Sequence, residues 1–258
     1  MRSVFFYIIL VLSTIILGGS IVIVSFVREA WTPLIACLWG NVNLWAAGVK
    51  VNVTGLENIN NRGPYIFVSN HQGWFDIFAA LGMLPLRFSW LAKQELFKLP
   101  VLGAAMRRAG YIPIDRKDTR KALIGLKRAA EQIRQGTSVF IFPEGTRSSD
   151  GVIGDFKKGW FVLAAKSQQP VVPVSISGSY HILPKKCWTL HPGEIRFSIG
   201  APIQTAGCDS KDRDLLMEQI REAIRANLTF EEAGGGGRVE PEIRGADLHD
   251  GGNICRDA

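Results

Sequence analysis

At 258 residues the chain can bury one good-sized core, and with 47% hydrophobic and 10% aromatic residues it is neither disordered nor of low complexity. A net charge of +7 calls for an anionic partner. No run interleaves stacking aromatics with basic residues, so nucleic acid is set aside in favour of a membrane surface and a phosphate-bearing substrate.

The first element is apolar. Residues 4–27, about 24 positions without a charge, are long enough to cross a hydrocarbon core of roughly 30 Å as a helix. A secretory signal has a shorter apolar run, about 7–15 residues, and no small-x-small cleavage site precedes Arg28, so a retained anchor is expected. Residues 31–49 are also uncharged but carry Pro33, two Asn and three Trp, the aromatic type that collects at lipid headgroups; an interfacial helix is expected there. The basic body that follows argues for a cytoplasmic or inner membrane, with the body facing the cytoplasm.

Beyond Lys50, short β-rich runs alternate with helical stretches: YIFVSN (65–70), FSWLAK (88–93), YIPIDR (111–116), SVFIFPEG (138–145), VVPVSISG (171–178) and EIRFSIG (194–200). Residues 119–135 and 210–228 show helical periodicity. The expected fold is α/β, a mixed sheet flanked by helices and preceded by the membrane-anchoring segment. The parts are an anchor with its interfacial helix over 1–49, a domain over 50–230, and a flexible, glycine-rich and charged tail over 231–258. Four scattered cysteines, Cys37, Cys187, Cys208 and Cys255, show neither metal-ligand spacing nor a disulfide framework, and no metal is expected.

Three strand ends carry chemistry. The first run ends in Asn70-His71-Gln72-Gly73-Trp74-Phe75-Asp76, with an imidazole and a carboxylate five residues apart across a strand-to-helix turn. A carboxylate that fixes the tautomer on one ring nitrogen leaves the other free to remove a hydroxyl proton. Alone, the pair favours a satisfied structural histidine, since a chance H-x4-D is common. Phe142-Pro143-Glu144-Gly145-Thr146-Arg147-Ser148 ends a second run, offering a glycine for close backbone approach, hydroxyls, and a guanidinium fork suited to phosphate. The third ends in Asp115-Arg116, where Arg116 is either a second phosphate ligand or half of a surface ion pair. Ser69 lies near His71, but no G-x-S-x-G elbow is present, which disfavours a serine hydrolase. Backbone N–H groups in the turn after His71 are candidate donors to an oxyanion.

In order and spacing, NHQGWFD, GYIPIDR (110–116), FPEGTRS (142–148) and VVPVSISG resemble the glycerolipid acyltransferase family that contains the lysophosphatidic acid acyltransferases, over about residues 60–180. Pro113 departs from the larger apolar residue common in the second block. The resemblance implies transfer of a fatty acyl group from acyl-CoA or acyl-carrier protein, as co-substrate, to the sn-2 hydroxyl of lysophosphatidic acid at the bilayer. It implies no cofactor, metal or covalent acyl-enzyme. It makes His71 and Asp76 catalytic, and Arg116, Glu144, Gly145, Thr146 and Arg147 substrate-binding. The alternatives are another lysolipid acceptor, such as a lyso-ornithine lipid or lysophosphatidylcholine, and a membrane lipid-binding protein that has lost catalysis.

Overall fold

Burial of whole strands, rather than of alternate residues, marks the middle of the sheet. β2 (Ile66–Ser69), β5 (Ser138–Ile141) and β6 (Val171–Ser177) are buried at every position, as strands covered on both faces must be. The computed structural model describes residues 1–60 and 63–235, so the expected tail lies outside the described residues beyond Gly235. Seven strands form one sheet in the order β1-β7-β6-β2-β5-β3-β4, with β3 at Phe88–Lys93, β4 at Ile112–Ile114 and β7 at Glu194–Ile199. All pairings are parallel except β6 with β7, so the sheet is mixed, as expected. Pro113 sits in the edge strand β4, where a missing N–H interrupts no central ladder.

β1 (Lys50–Thr54) is the strand the sequence hides. At the other edge of the sheet, its residues KVNVT are exposed or only partly buried, and it pairs in parallel with β7. A short, polar edge strand lacks the apolar signal that reveals central ones.

The helices form two layers. α3 (Phe75–Met83) packs with α1 (Arg2–Val24) and α2 (Thr32–Ala47) against the face carrying Phe67, Phe140, Val172 and Ile176. α5 (Thr119–Arg134), α6 (Phe161–Ser167) and α8 (Arg213–Arg225) cover the opposite face, through Leu126, Ile133, Leu163 and Ile220 among others. The Asp118 side chain caps α5 by accepting from the N–H groups of Arg120 and Lys121 at 2.9 and 3.1 Å. Two shorter helices, α4 (Leu102–Arg108) and α7 (Ser179–Ile182), follow β3 and β6.

α1 is the one described helix long and apolar enough to cross a membrane. It presents a single stripe, Phe6, Ser13, Gly18 and Ile21, to the body, and leaves Ile8, Leu12, Ile16 and Ile23 exposed. Its partner α2 is tied to it by polar side chains. Asn43 donates to Ser13 Oγ at 3.2 Å, and Trp39 Nε1 to Thr14 Oγ1 at 3.1 Å, so these polar groups join two apolar helices while Trp31 and Trp45 stay exposed.

Candidate active site

Asn70 continues β2 with its side chain: its amide donates to the Ile176 carbonyl at 2.7 Å and its carbonyl accepts from the Ile176 N–H at 2.9 Å. This two-way bond to β6 fixes where the chain leaves the sheet. His71 follows, stacked on Phe142 with ring centroids 3.9 Å apart and planes 10° from parallel. Its Nδ1 lies 2.7 Å from Asp76 Oδ2. The ring therefore turns Nε2 to other work, because the carboxylate already engages Nδ1.

Asp76 is in the first turn of α3 and has no exposed surface. The same Oδ2 accepts from the N–H groups of Gln72 and Gly73 at 2.7 and 2.9 Å, and Oδ1 accepts from Ser179 Oγ. The oxyanion donors expected in the turn after His71 are thus committed to Asp76. At position 73 an added Cβ would lie 2.8 Å from the Ser179 carbonyl, so the close approach of this turn to α7 needs glycine. The sequence gives no sign of Ser179, which is 103 residues from Asp76 and brought to it by the β2–β6 pairing.

The FPEGTRS segment leaves β5 beside this turn. Glu144 turns inward: Oε1 accepts from the His71 N–H at 2.8 Å and Oε2 from the Gly154 N–H at 3.2 Å. The expected ligand of substrate is therefore a buried brace of the histidine loop. Burial pushes its carboxyl up to about 7 against the pull of those two N–H bonds, with Asp76 adding to the rise. The Ser148 N–H closes the loop onto the His71 carbonyl at 2.7 Å.

Gly145, Thr146 and Arg147 line the open side with Arg116. Gly145 has φ +73°, a left-handed turn that aims its carbonyl at Arg116 Nη1. Arg116 is accordingly not paired with Asp115, whose carboxylate accepts from the Lys117 and Asp118 N–H groups at 2.9 and 3.2 Å. The Arg147 guanidinium carbon lies 5.1 Å from the centre of the Trp74 ring, and burial lowers the group from its usual value while Asp76 opposes that shift. Lys185, which the sequence did not single out, reaches Thr146 Oγ1 at 3.2 Å and the Arg147 carbonyl at 3.3 Å. Lys93 also lines this mouth, 3.6 Å from Glu95.

His71, Trp74, Arg116, Gly145, Thr146, Arg147 and Lys185 line one cavity of about 460 Å³, with Asp76 and Glu144 buried behind it. Its lining carries four cations, Arg116, Arg147, Lys185 and Lys93, together with His71. Its inner end is apolar, lined by Trp39, Leu81, Leu102, Met106 and Tyr111, and a smaller void shares those five residues on the way to Gly18 of α1. Such a shape takes a ligand with a charged head, a reacting centre and a long apolar tail. Among the described residues, no group of His, Cys, Asp and Glu is arranged to hold a metal ion.

A family model described as Acyltransferase matches residues 50–177. The chain is 37% identical over 205 residues to the chloroplastic 1-acyl-sn-glycerol-3-phosphate acyltransferase of Brassica napus, covering 79% of this chain and 58% of that protein. It thus spans little more than half the length of that relative. It is 30% identical to the 1-acyl-sn-glycerol-3-phosphate acyltransferase of Limnanthes alba, covering 85% of this chain and 79% of the other. Among solved structures, that of the 1-acyl-sn-glycerophosphate (LPA) acyltransferase PlsC from Thermotoga maritima superimposes with a TM-score of 0.77 at 30% identity, over 86% of this chain and 91% of that one.

Proposed function

The chain belongs to the 1-acyl-sn-glycerol-3-phosphate acyltransferase family, and from that premise we propose that it transfers a fatty acyl group from acyl-CoA or acyl-carrier protein to the sn-2 hydroxyl of lysophosphatidic acid, giving phosphatidic acid. The observation that carries this reading is His71, paired with the buried Asp76, in the lining of a cavity that also presents four cations and a set of apolar side chains.

In this reading Arg147 and Arg116 take the acceptor phosphate, Arg147 through a planar fork already backed by Trp74. His71 Nε2 removes the sn-2 hydroxyl proton as that oxygen attacks the thioester carbonyl. The tetrahedral intermediate collapses with cleavage of the carbon–sulfur bond, and the imidazolium returns the proton to the departing thiolate. Asp76, held by Gln72, Gly73 and Ser179, keeps the ring oriented and steadies its transient charge. The step so written uses no metal and no covalent acyl-enzyme.

The acyl tail fills the apolar end. Of the segment 95–109, Leu102 and Met106 line that end, whereas Leu99 is 47% exposed and lies outside the lining. The exposed apolar faces of α1 and α2 enter the bilayer, with the body on the cytoplasmic side, so that a lipid reaches the cavity without crossing water.

The test is acyl transfer by the purified, membrane-reconstituted protein from a labelled thioester, to lysophosphatidic acid and to lysolipids lacking a phosphate monoester. Product with lysophosphatidic acid, lost in His71→Ala, is the expected result. His71-dependent product only with another lysolipid moves the activity to that acceptor, and no transfer at all leaves a lipid-binding protein.

A further inference from the structure

Residues 229–235 follow α8 and lie beyond the matched family region, in a stretch whose composition reads as the start of a free tail. The structure folds them back onto the site. Glu232 is only 6% exposed, and its carboxylate accepts from Ser177 Oγ at 2.6 Å, the Gly178 N–H at 2.8 Å and the Thr229 N–H at 3.0 Å. Its own carbonyl accepts from the Ile153 N–H at 2.9 Å, and Arg225 Nε anchors the segment to α8 through the Ala233 carbonyl at 3.1 Å. Burial alone would raise this carboxyl, but the bonds from Ser177, Thr229, Gly178 and the Gln72 amide outweigh it and hold the group below its usual range. A carboxylate buried this well and bonded this fully is a built feature, since an unsatisfied one would be strongly destabilising.

Two arms run from Glu232 to the two members of the catalytic pair. One passes through Ser177 and Gly178 to Ser179, whose hydroxyl donates to Asp76. Gly178 adopts φ +93° with its Cα pressed against β7, where an added Cβ would lie 2.4 Å from the Glu194 carbonyl, so the turn has little room to shift. The other arm passes through Ile153 to Gly154, whose N–H donates to Glu144, and Glu144 in turn holds the His71 N–H. The same loop offers the Gly151 carbonyl to the Gln72 amide at 2.8 Å, one residue from His71.

We propose that Glu232 is a positioning residue for acyl transfer, tying the turn after β6 to the 151–154 loop so that Asp76 and His71 are held in mutual register. The inference rests on the catalytic reading given above. Glu232→Gln preserves size but sets an amide N–H₂ against a hydroxyl or backbone donor. It is expected to lower kcat about 10- to 100-fold per folded molecule, with KM for donor and acceptor within twofold of wild type and a lowered Tm that still leaves the protein folded at the assay temperature, while Glu231→Gln on the exposed neighbour leaves kcat unchanged.

Combining Glu232→Gln with Ser179→Ala should cost much less than the product of the single effects, because both act on Asp76. Additive losses, a wild-type kcat in Glu232→Gln, or a kcat loss that only tracks the unfolded fraction would overturn the proposal. Should Glu232→Gln fail to fold, Ser177→Ala removes one donor to the same carboxylate, together with the acceptor of Arg196 Nη2, and carries the same expectations, with Arg196→Ala as the control for the second loss. The low-field ¹⁵N-bound proton of His71 Nδ1 reads the His71–Asp76 bond without turnover. If the wild-type protein transfers no acyl group, the catalytic reading fails, whereas an unchanged His71 resonance in Glu232→Gln counts against the positioning role itself.

Discussion

His71, Asp76 and Glu144 are 8%, 0% and 6% exposed and bound from several sides, whereas Arg116 and Thr146 stand open at the cavity mouth and Trp74 is 44% exposed. The buried half uses backbone N–H groups, which cannot rotate away, so it holds one geometry. The open half presents long cationic side chains that adapt to a ligand and are screened by water until one arrives. Chemistry that depends on a fraction of an ångström belongs in the first half. Recognition of a charged, mobile headgroup belongs in the second.

The comparison breaks first at His71. His71→Ala should lower kcat by about 10³-fold, well beyond any loss of folded protein, and Asp76→Asn, which removes the charge that steadies the imidazolium, should approach it. Either variant within tenfold of wild type would place the chemistry elsewhere.

Glu144 tests whether the buried half carries a cost. Its carboxyl, normally near 4.5, is raised to about 7 in the folded protein. The folded state therefore holds a proton that the unfolded state releases, and stability from this group falls as pH rises from about 4.5 to about 7, by about 3 kcal/mol in all. Chemical denaturation in detergent at pH 5 and pH 8 should show most of that difference, about 2.5 kcal/mol, in wild type relative to Glu144→Gln, which lacks it. An equal pH dependence in the two proteins would mean that Glu144 is not desolvated as described.

At the mouth, Arg147→Ala should raise KM for lysophosphatidic acid about 10- to 100-fold, the worth of a charge-assisted contact, and change kcat little. Steady-state kinetics with a saturating thioester separates the two. A fall in kcat at constant KM would move Arg147 from recognition into the chemical step. The smallest effect is expected deepest in the cavity. Met106→Trp should shift acyl-chain preference toward shorter chains by about tenfold, read from competition between long and short thioesters, because the added ring takes up tail volume. Unchanged preference would mean the tail lies elsewhere.

Much of this was legible locally. His71 and Asp76 are five residues apart on one strand-to-helix turn, so their pairing needs no knowledge of the rest of the chain, and their 2.7 Å contact follows from that turn. The central strands and α5 announced themselves through apolar runs and helical period, as the shared face of Leu126, Ala129 and Ile133 shows. Glu144 is expected as a substrate ligand from the family resemblance, which says which residues gather at a strand end, not which way each side chain turns. Its inward orientation depends on Gly154 and His71 arriving from other segments.

By itself, then, the amino-acid sequence determined the α/β class, the apolar helix at the N-terminus, the His71–Asp76 pair and the cationic groups near it. For the first three the signal is periodicity or spacing within one element, and the physics is local, whereas the grouping of Arg116 and Arg147 with His71 came from the family resemblance. Tertiary structure alone decided that β1 completes the sheet edge, that Asn43 joins α2 to α1, that Ser179 reaches Asp76, and that Glu232 is buried against Ser177 and Gly178. Those contacts join residues 30 to 144 positions apart, and a polar side chain reads the same in sequence whether water or a buried donor satisfies it.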